Sequence, residues 1–302
     1  MNTFEQAIEA AEKHLLKANL FYGHGMGDAY DEAVYAALFC AGLPVDHDIA
    51  WEASYPSPAF SKLSELINAR CLTKKPLAYL THEAFLHGFK FYVDERVIVP
   101  RSFIGELILD GFSPWVNVDK TTDILELCTG SACLAIMAAE VFQNAHVDAI
   151  DIDPAALEVA QRNVKDYAFE NRITLLQSDL YSAVKDSGKQ YDIIFSNPPY
   201  VNSTSMASLP AEYLAEPQIA LAGGPDGMDL VRTIVNEAAA LLKPNGILVI
   251  EIGNEYQHAQ AAFKNLPLVW LDTSGSDEAV FLLTRSDLMG KNTQSACEIN
   301  NV

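Results

Sequence analysis

From about residue 122 onward, short apolar runs alternate with amphipathic segments, and this alternation is the tightest constraint on what the chain can fold into. The runs at 123–127, 146–150, 172–177, 191–196, 246–251, 267–271 and 279–284 read as strands. Most carry apolar residues at successive positions, so both of their faces need cover. Helical segments fall between most of them, at about 131–141, 154–167, 228–242 and 255–264. A mostly parallel α/β sheet follows. The last two runs are joined only by the polar link from Asp272 to Glu278, too short for a crossover helix. The final strand must therefore run antiparallel, a reversal that a dinucleotide-binding dehydrogenase does not require.

Ahead of this region the periodicity is helical. Residues 3–20 put Phe4, Ala7, Ile8, Ala11, Leu15 and Leu16 on one face. A glycine-rich break from Gly23 to Asp28 leads to a second helix over about 29–41, stopped by Gly42 and Pro44. Ser57-Pro58 reads as the N-cap and first residue of a third helix, with Phe60, Leu63, Leu66 and Ile67 facing inward. Between 84 and 99 the pattern turns strand-like: Phe85-Leu86, a turn at His87-Gly88, then Phe89 to Val93 and Val97 to Val99. His82 and Glu83, just before it, read as structural hydrogen-bonding residues. The organisation expected is a helical domain over 1–83, a hairpin linker over 84–100, an α/β domain over 101–290 and a disordered polar tail over 291–302.

Composition narrows the setting. No run approaches the roughly 18 apolar residues of a membrane span, and the N-terminus has no basic region or apolar signal core, so a cytoplasmic location is expected. Cys40, Cys71, Cys128, Cys133 and Cys297 are odd in number and form no Cys-x-x-Cys pair, which argues against a disulfide framework and a zinc site. The formal net charge of −20 opposes a nucleic-acid backbone and suits a basic protein partner, unless it serves solubility alone.

Three strand ends carry chemistry. Asn197-Pro198-Pro199-Tyr200 directly follows the run Tyr191 to Ser196, at a strand's carboxyl end, where open α/β sheets place their ligands. The two prolines bring no N–H, so the Asn197 side-chain oxygen and the Pro198 carbonyl are acceptors with no local donor. Two fixed acceptors can hold a planar –NH2 group and aim its lone pair. Tyr200 can lie against such a group or simply pack in the core. The turn Glu126 to Cys133 lets a ligand approach the backbone closely, yet lacks the three glycines of a pyrophosphate loop. Asp151 ends the second strand, where an acidic residue can bind both hydroxyls of a ribose. Asp153 is better explained as N-cap to the helix opened by Pro154. Asp179, ending the third strand, can reach an adenine amino group or be an ordinary loop carboxylate.

Taken in order, Glu126 to Cys133, Asp151, Asp179 and Asn197 to Tyr200 resemble the class I S-adenosylmethionine-dependent methyltransferases that modify amino nitrogens. The stretch Ala78 to Glu83 followed by Phe91 to Ser102 is similar to the protein-glutamine N5-methyltransferases, and within them to the branch acting on ribosomal protein L-three. The sister branch, acting on peptide-chain release factors, continues its Pro-Arg pair with Pro-Glu-Thr-Glu; here the text is Pro100-Arg101-Ser102-Phe103-Ile104-Gly105-Glu106. Glu216-Pro217, Gly224 to Gly227 and Glu251 to Asn254 also resemble family segments, and the likeness spans roughly residues 75–285.

The resemblance implies a Rossmann-like seven-stranded sheet with an antiparallel last strand and a small N-terminal helical domain. It implies S-adenosyl-L-methionine as cofactor, held by Glu126, Cys128, Thr129, Gly130, Ser131, Asp151, Ile152, Asp179, Leu180 and Asn197. Catalysis would fall to Asn197, Pro198 and Tyr200. Pro199 would join them in binding the substrate glutamine, as would Arg101, which can equally pair with an acidic neighbour. The partner would be a basic ribosomal protein presenting a glutamine on a loop. Release factors, or adenine N6 in DNA, are the alternatives; the acidic charge and the lack of an evident DNA-recognition segment oppose the second. Three positions depart from the family's pattern. Glu126 replaces Asp, so a longer arm must reach the cofactor. Ala132 replaces Gly, which is harmless only at negative φ. Phe103 replaces Pro in the branch-marking segment.

Overall fold

The computed structural model describes residues 3–290; the expected tail over 291–302 lies outside the described residues. Helices α1 (Phe4–Lys17), α2 (Ala29–Ala41), α3 (Ser57–Thr73) and α4 (Leu77–Thr81) come first. Thr3 and Gln6 cap α1 reciprocally, each side chain accepting the other's N–H at 3.2 Å. Ala7, Ile8, Ala11 and Leu15 bury against Ala33, Ala36, Leu63 and Ile67. Leu16, one position round the helix, is exposed rather than inward, because the core-facing stripe is narrower than its hydrophobicity suggested. Helix α3 begins one residue earlier than expected: Pro56, not Ser57, is the cap, since the Pro56 carbonyl accepts the Phe60 N–H at 3.0 Å.

Strands β1 (Ala84–Leu86) and β2 (Phe89–Phe91) form the hairpin. His87 and Gly88 both have positive φ, +48° and +85°, as a two-residue turn demands. The strand stops at Phe91 because the Asn163 side chain takes the place of a neighbour, accepting from Tyr92 N at 2.8 Å and donating to Tyr92 O at 3.0 Å. Val97 to Val99 form no strand: Val97 closes a turn, its N–H donating to the Asp94 carbonyl at 3.1 Å. Side chains satisfy further backbone groups: Tyr79 donates to Val97 O, and Val99 N donates to Glu216 at 3.0 Å.

After α5 (Ile104–Leu109) come β3 (Asp123–Leu127), α6 (Cys133–Val141), β4 (His146–Asp151), α7 (Pro154–Asp166), β5 (Ile173–Gln177) and β6 (Tyr191–Ser196). The chain then passes through α8 (Ser203–Met206), α9 (Asp229–Leu241), β7 (Leu242–Glu251), α10 (Tyr256–Ala262), β8 (Val269–Trp270) and β9 (Val280–Thr284). The seven strands from β3 onward form one sheet in the order β5-β4-β3-β6-β7-β9-β8. β3 to β7 are parallel; β9 inserts beside β7 and runs antiparallel to it, as the short link before it demands. Alternate strand residues face opposite layers. Ile124, Ile193 and Ile247 meet α5 and α6, while Leu125, Ile194 and Leu248 meet α9 and α10. Strand order reverses between β3 and β6, so the crevice beyond their carboxyl ends is where a ligand site is expected. No helix among the described residues is long and apolar enough to cross a membrane.

The helical bundle is tied to the sheet domain by a buried charge cluster. Arg70, 2% exposed, donates to Glu32 at 2.6 Å, to Glu212 at 3.2 Å and to the Phe21 carbonyl at 3.1 Å. Glu212 also accepts the Phe21 N–H at 2.9 Å. Burial pushes the Glu32 carboxyl pKa up, so its charge depends on Arg70. Arg70→Ala should therefore lower unfolding free energy by about 3–5 kcal/mol, as when one partner of a buried ion pair is removed. A urea-unfolding midpoint equal to that of the wild type would show that the cluster contributes nothing to the joint.

Candidate active site

The turn after β3 is built on alternating backbone conformations. Cys128, Gly130 and Ala132 have φ of +59°, +54° and +62°. Thr129 N donates to Ile150 O and Ala132 N donates to Thr129 O, both at 2.9 Å, so the turn closes tightly onto β4. Ala132 therefore does not meet the negative-φ condition. It is the left-handed cap of α6, and its methyl is wholly buried. The cost of a non-glycine residue there is about 1–2 kcal/mol.

At the end of β4, Asp151 accepts from Gly130 N at 2.8 Å and from Asp153 N at 3.0 Å. Burial pushes its pKa up, against the pull of those N–H groups. Asp153 caps α7 through Ala155 N at 2.8 Å, as its sequence position implied. Asp151 lines a cavity of about 170 Å³ together with Cys128, Gly130, Ile150, Ile152, Asp179, Leu180, Asn197, Pro199 and Leu230. Arg96 is the one basic side chain lining it among the described residues, and it is committed to Asp94 at 2.7 Å and Glu158 at 2.6 Å. Three residues expected here lie elsewhere. Glu126 is buried under the turn and Thr129 and Ser131 within it, and none lines the cavity. The Thr129 hydroxyl donates to Glu126, and burial raises the Glu126 pKa to about 8. The carboxyl thus supports the turn from below.

A second cavity, of about 210 Å³, lies on the other side of Asn197. Its walls include Arg101, Pro198, Tyr200, Ser205, Leu209, Tyr213 and Glu255. Asn197, Ile98 and Ala220 line both cavities. Of the four strand-end residues, Asn197 is shared, Pro199 faces the first cavity, and Pro198 and Tyr200 face the second. Asn197 Nδ2 donates to the main-chain carbonyl of Arg101 at 3.4 Å. A carbonyl cannot donate, so this contact turns the Asn197 oxygen the other way. Tyr200 is held by glycines: a Cβ on Gly253, at φ +52°, would lie 2.6 Å from the Tyr200 ring, and one on Gly223 would lie 2.6 Å from its Cα. Burial pushes the Tyr200 phenol pKa well up, so it stays neutral.

Arg101 makes the expected pairing with an acidic neighbour and also stands at the wall of the second cavity. Its guanidinium is paired with Glu216, Nη2 to Oε2 at 2.6 Å, and stands 5.2 Å from the Tyr213 ring centre. Burial opposes the Glu216 charge, yet Arg101 holds its pKa down to about 2. Glu216, Glu251 and Glu255 carry no assigned role in the sequence reading. The only signal was that Glu216-Pro217 and Glu251 to Asn254 matched family text. Glu255 is fixed at the cavity wall by Asn202, which donates at 2.6 Å, and by the His258 ring.

Residues 112–224 match the methyltransferase small domain family. The catalytic domain of hMettl16, solved in complex with the MAT2A 3′UTR hairpin 6, aligns with 73% of this chain and 81% of its own at a TM-score of 0.50 and 13% identity. Sheet order, the reversed β9 and the crevice site are those of a class I S-adenosylmethionine-dependent methyltransferase fold. Three curated relatives are far nearer: the ribosomal protein uL3 glutamine methyltransferases of Burkholderia pseudomallei (48% identical, covering 95% of either chain), Bordetella pertussis (47%; 95% of this chain, 97% of its own) and Neisseria gonorrhoeae (45%; 96% and 97%). The chain belongs to the family of ribosomal protein uL3 glutamine methyltransferases.

The strain at the turn is testable on its own. Ala132→Gly should raise unfolding free energy by about 1 kcal/mol, because relief of the left-handed conformation outweighs glycine's extra unfolded-state entropy. Calorimetry giving a less stable variant would mean that the buried methyl contributes more than its backbone costs.

Proposed function

We propose that this protein transfers a methyl group from S-adenosylmethionine to the side-chain amide nitrogen of a glutamine in ribosomal protein uL3. The observation that carries the reading is the place of Asn197: it forms the wall between two cavities, its NH2 end is turned to the Arg101 carbonyl, and its oxygen is left for a ligand. The adjoining prolines supply a second acceptor and no competing donor.

The first cavity fits the cofactor by its chemistry. It offers Asp151 and Asp179 at strand ends, apolar walls from Ile152 and Leu180, and a turn whose backbone a ligand can approach. Its single basic side chain is already paired, so it suits a cationic sulfonium ligand and not a pyrophosphate. When bound, the cofactor supplies an electrophilic methyl on sulfur. The chain's own residues do the rest. An amide nitrogen is a poor nucleophile because its lone pair is delocalised. Asn197 Oδ1 and the Pro198 carbonyl accept its two N–H bonds, favour a pyramidal nitrogen and aim the lone pair across the wall. Orientation of this kind contributes roughly 7–11 kcal/mol. As the N–C bond forms and the C–S bond breaks, positive charge develops on nitrogen, and the two oxygen dipoles bind it more strongly than they bind the neutral amide; one of the two N–H protons leaves to solvent after transfer. Tyr200 stays neutral and limits the room beside the amide.

The acidic surface and the helical bundle before residue 84 are assigned to recognition of the basic substrate, steering encounter by charge. The reaction is placed in the cytoplasm. The same –NH2 chemistry serves release factors or adenine, so the decisive experiment offers uL3, a release factor and DNA side by side with tritiated-methyl cofactor. Label should enter uL3 far faster than the others; preferential labelling of a release factor would overturn the substrate while leaving the chemistry. Two variants separate the cavities. Asp151→Ala should weaken cofactor binding by about 1.5–3 kcal/mol per hydrogen bond lost. Asn197→Ala should retain most of that affinity and lose about 10²–10³-fold in kcat. Near-normal transfer by Asn197→Ala would reduce that residue to a strand-end turn.

A further inference from the structure

We propose that Glu216 and Glu251 are positioning residues that decide which end of the Asn197 amide faces the substrate, acting through the main-chain carbonyl of Arg101. The inference rests on the methyl-transfer reading above. A primary amide has two ends of nearly equal shape. Rotated by half a turn, Asn197 would present an NH2 to the substrate's own NH2, donor against donor, and neither the lone pair nor the developing charge would be served. Near Asn197, the Arg101 carbonyl is the acceptor that selects the productive end, and the contact is long at 3.4 Å. A small displacement of that carbonyl would release the choice.

The carbonyl is held from both sides by carboxylates on separate segments. Glu216, 3% exposed, accepts from Val99 N at 3.0 Å and from both ends of the Arg101 guanidinium, which also donates to the Val99 carbonyl at 3.1 Å. Glu251, 2% exposed, lies at the end of β7, beside the strand that carries Asn197. It accepts from the Ser102 hydroxyl at 2.6 Å, Phe103 N at 2.9 Å and Ile104 N at 3.4 Å. Arg101 is the residue between the two clamps. Hydrogen bonds to a carboxylate are about twice as strong as neutral ones, so a glutamine in either place loosens the clamp without emptying it.

The test uses the full chain with its asparagine side chains labelled with nitrogen-15. In Glu216→Gln and in Glu251→Gln the Asn197 side-chain amide resonance should move from its wild-type position. In both variants kcat should fall by about 10²-fold, as for a 1 Å misplacement, while KM for a glutamine substrate and cofactor affinity stay within about threefold. Ser102→Ala, which removes one donor to Glu251, should give a smaller change in the same direction and serves if a carboxylate variant fails to fold. A wild-type kcat in the variants overturns the proposal, as does an unmoved amide resonance. A rise in KM at unchanged kcat would also overturn it, by making Arg101 a docking group for substrate. The resonance needs no substrate, so it still tests the positioning if the wild type were to methylate no glutamine and the functional reading failed.

Discussion

A glutamine amide becomes a nucleophile only while its two N–H bonds are held and its lone pair is pointed somewhere, and holding them takes two acceptors with no donor nearby. Most backbone cannot supply this, because each carbonyl comes with an N–H of its own residue. Two successive prolines can. Their rigidity in turn requires the chain to leave β6 extended, which places Pro198 and Pro199 on opposite cavities and Asn197 on the wall between them. The glycines that let Tyr200 sit against Gly223 and Gly253 are consequences of that path: no side chain fits where the extended segment crosses.

The sheet places this segment without further help. Reversal of strand order between β3 and β6 opens a crevice, and the turns after β3, β4 and β6 all end on it. Asp151 and Asn197 come from strands separated only by β3. The N-terminal bundle is joined through Arg70 to Glu212, on a segment that goes on to Tyr213, which lines the second cavity, and to Glu216, which pairs with Arg101.

Much of this was legible in the sequence where one local rule decided the outcome. Strand positions followed from apolar runs, the reversed β9 from the length of the link before it, and Asp153 from the proline after it. The place of Asn197 and Pro198 at the end of β6 followed from the apolar run before them. What was not legible depended on partners distant in the chain. Val97 to Val99 looked like a strand because nothing local shows that Tyr79 and Glu216 take its hydrogen bonds. Glu126 looked like a ligand-reaching acid because a buried carboxyl and an exposed one share the same letter; the fold turns it under Thr129. Ala132 seemed to demand negative φ, yet closure of the turn onto β4 overrides that preference. Glu216 and Glu251 were visible only as matching text, since their partners lie 115 and 147 to 149 residues away.

Methyl transfer to an amide depends on which atoms hold it. The most direct measurement is a crystal structure of the chain with demethylated cofactor and a glutamine-bearing uL3 segment. The glutamine nitrogen should lie within about 3.2 Å of both Asn197 Oδ1 and the Pro198 carbonyl, with the Asn197 NH2 still on Arg101. A glutamine nitrogen bound by other acceptors, or an Asn197 amide turned so that its nitrogen faces the substrate, would contradict it.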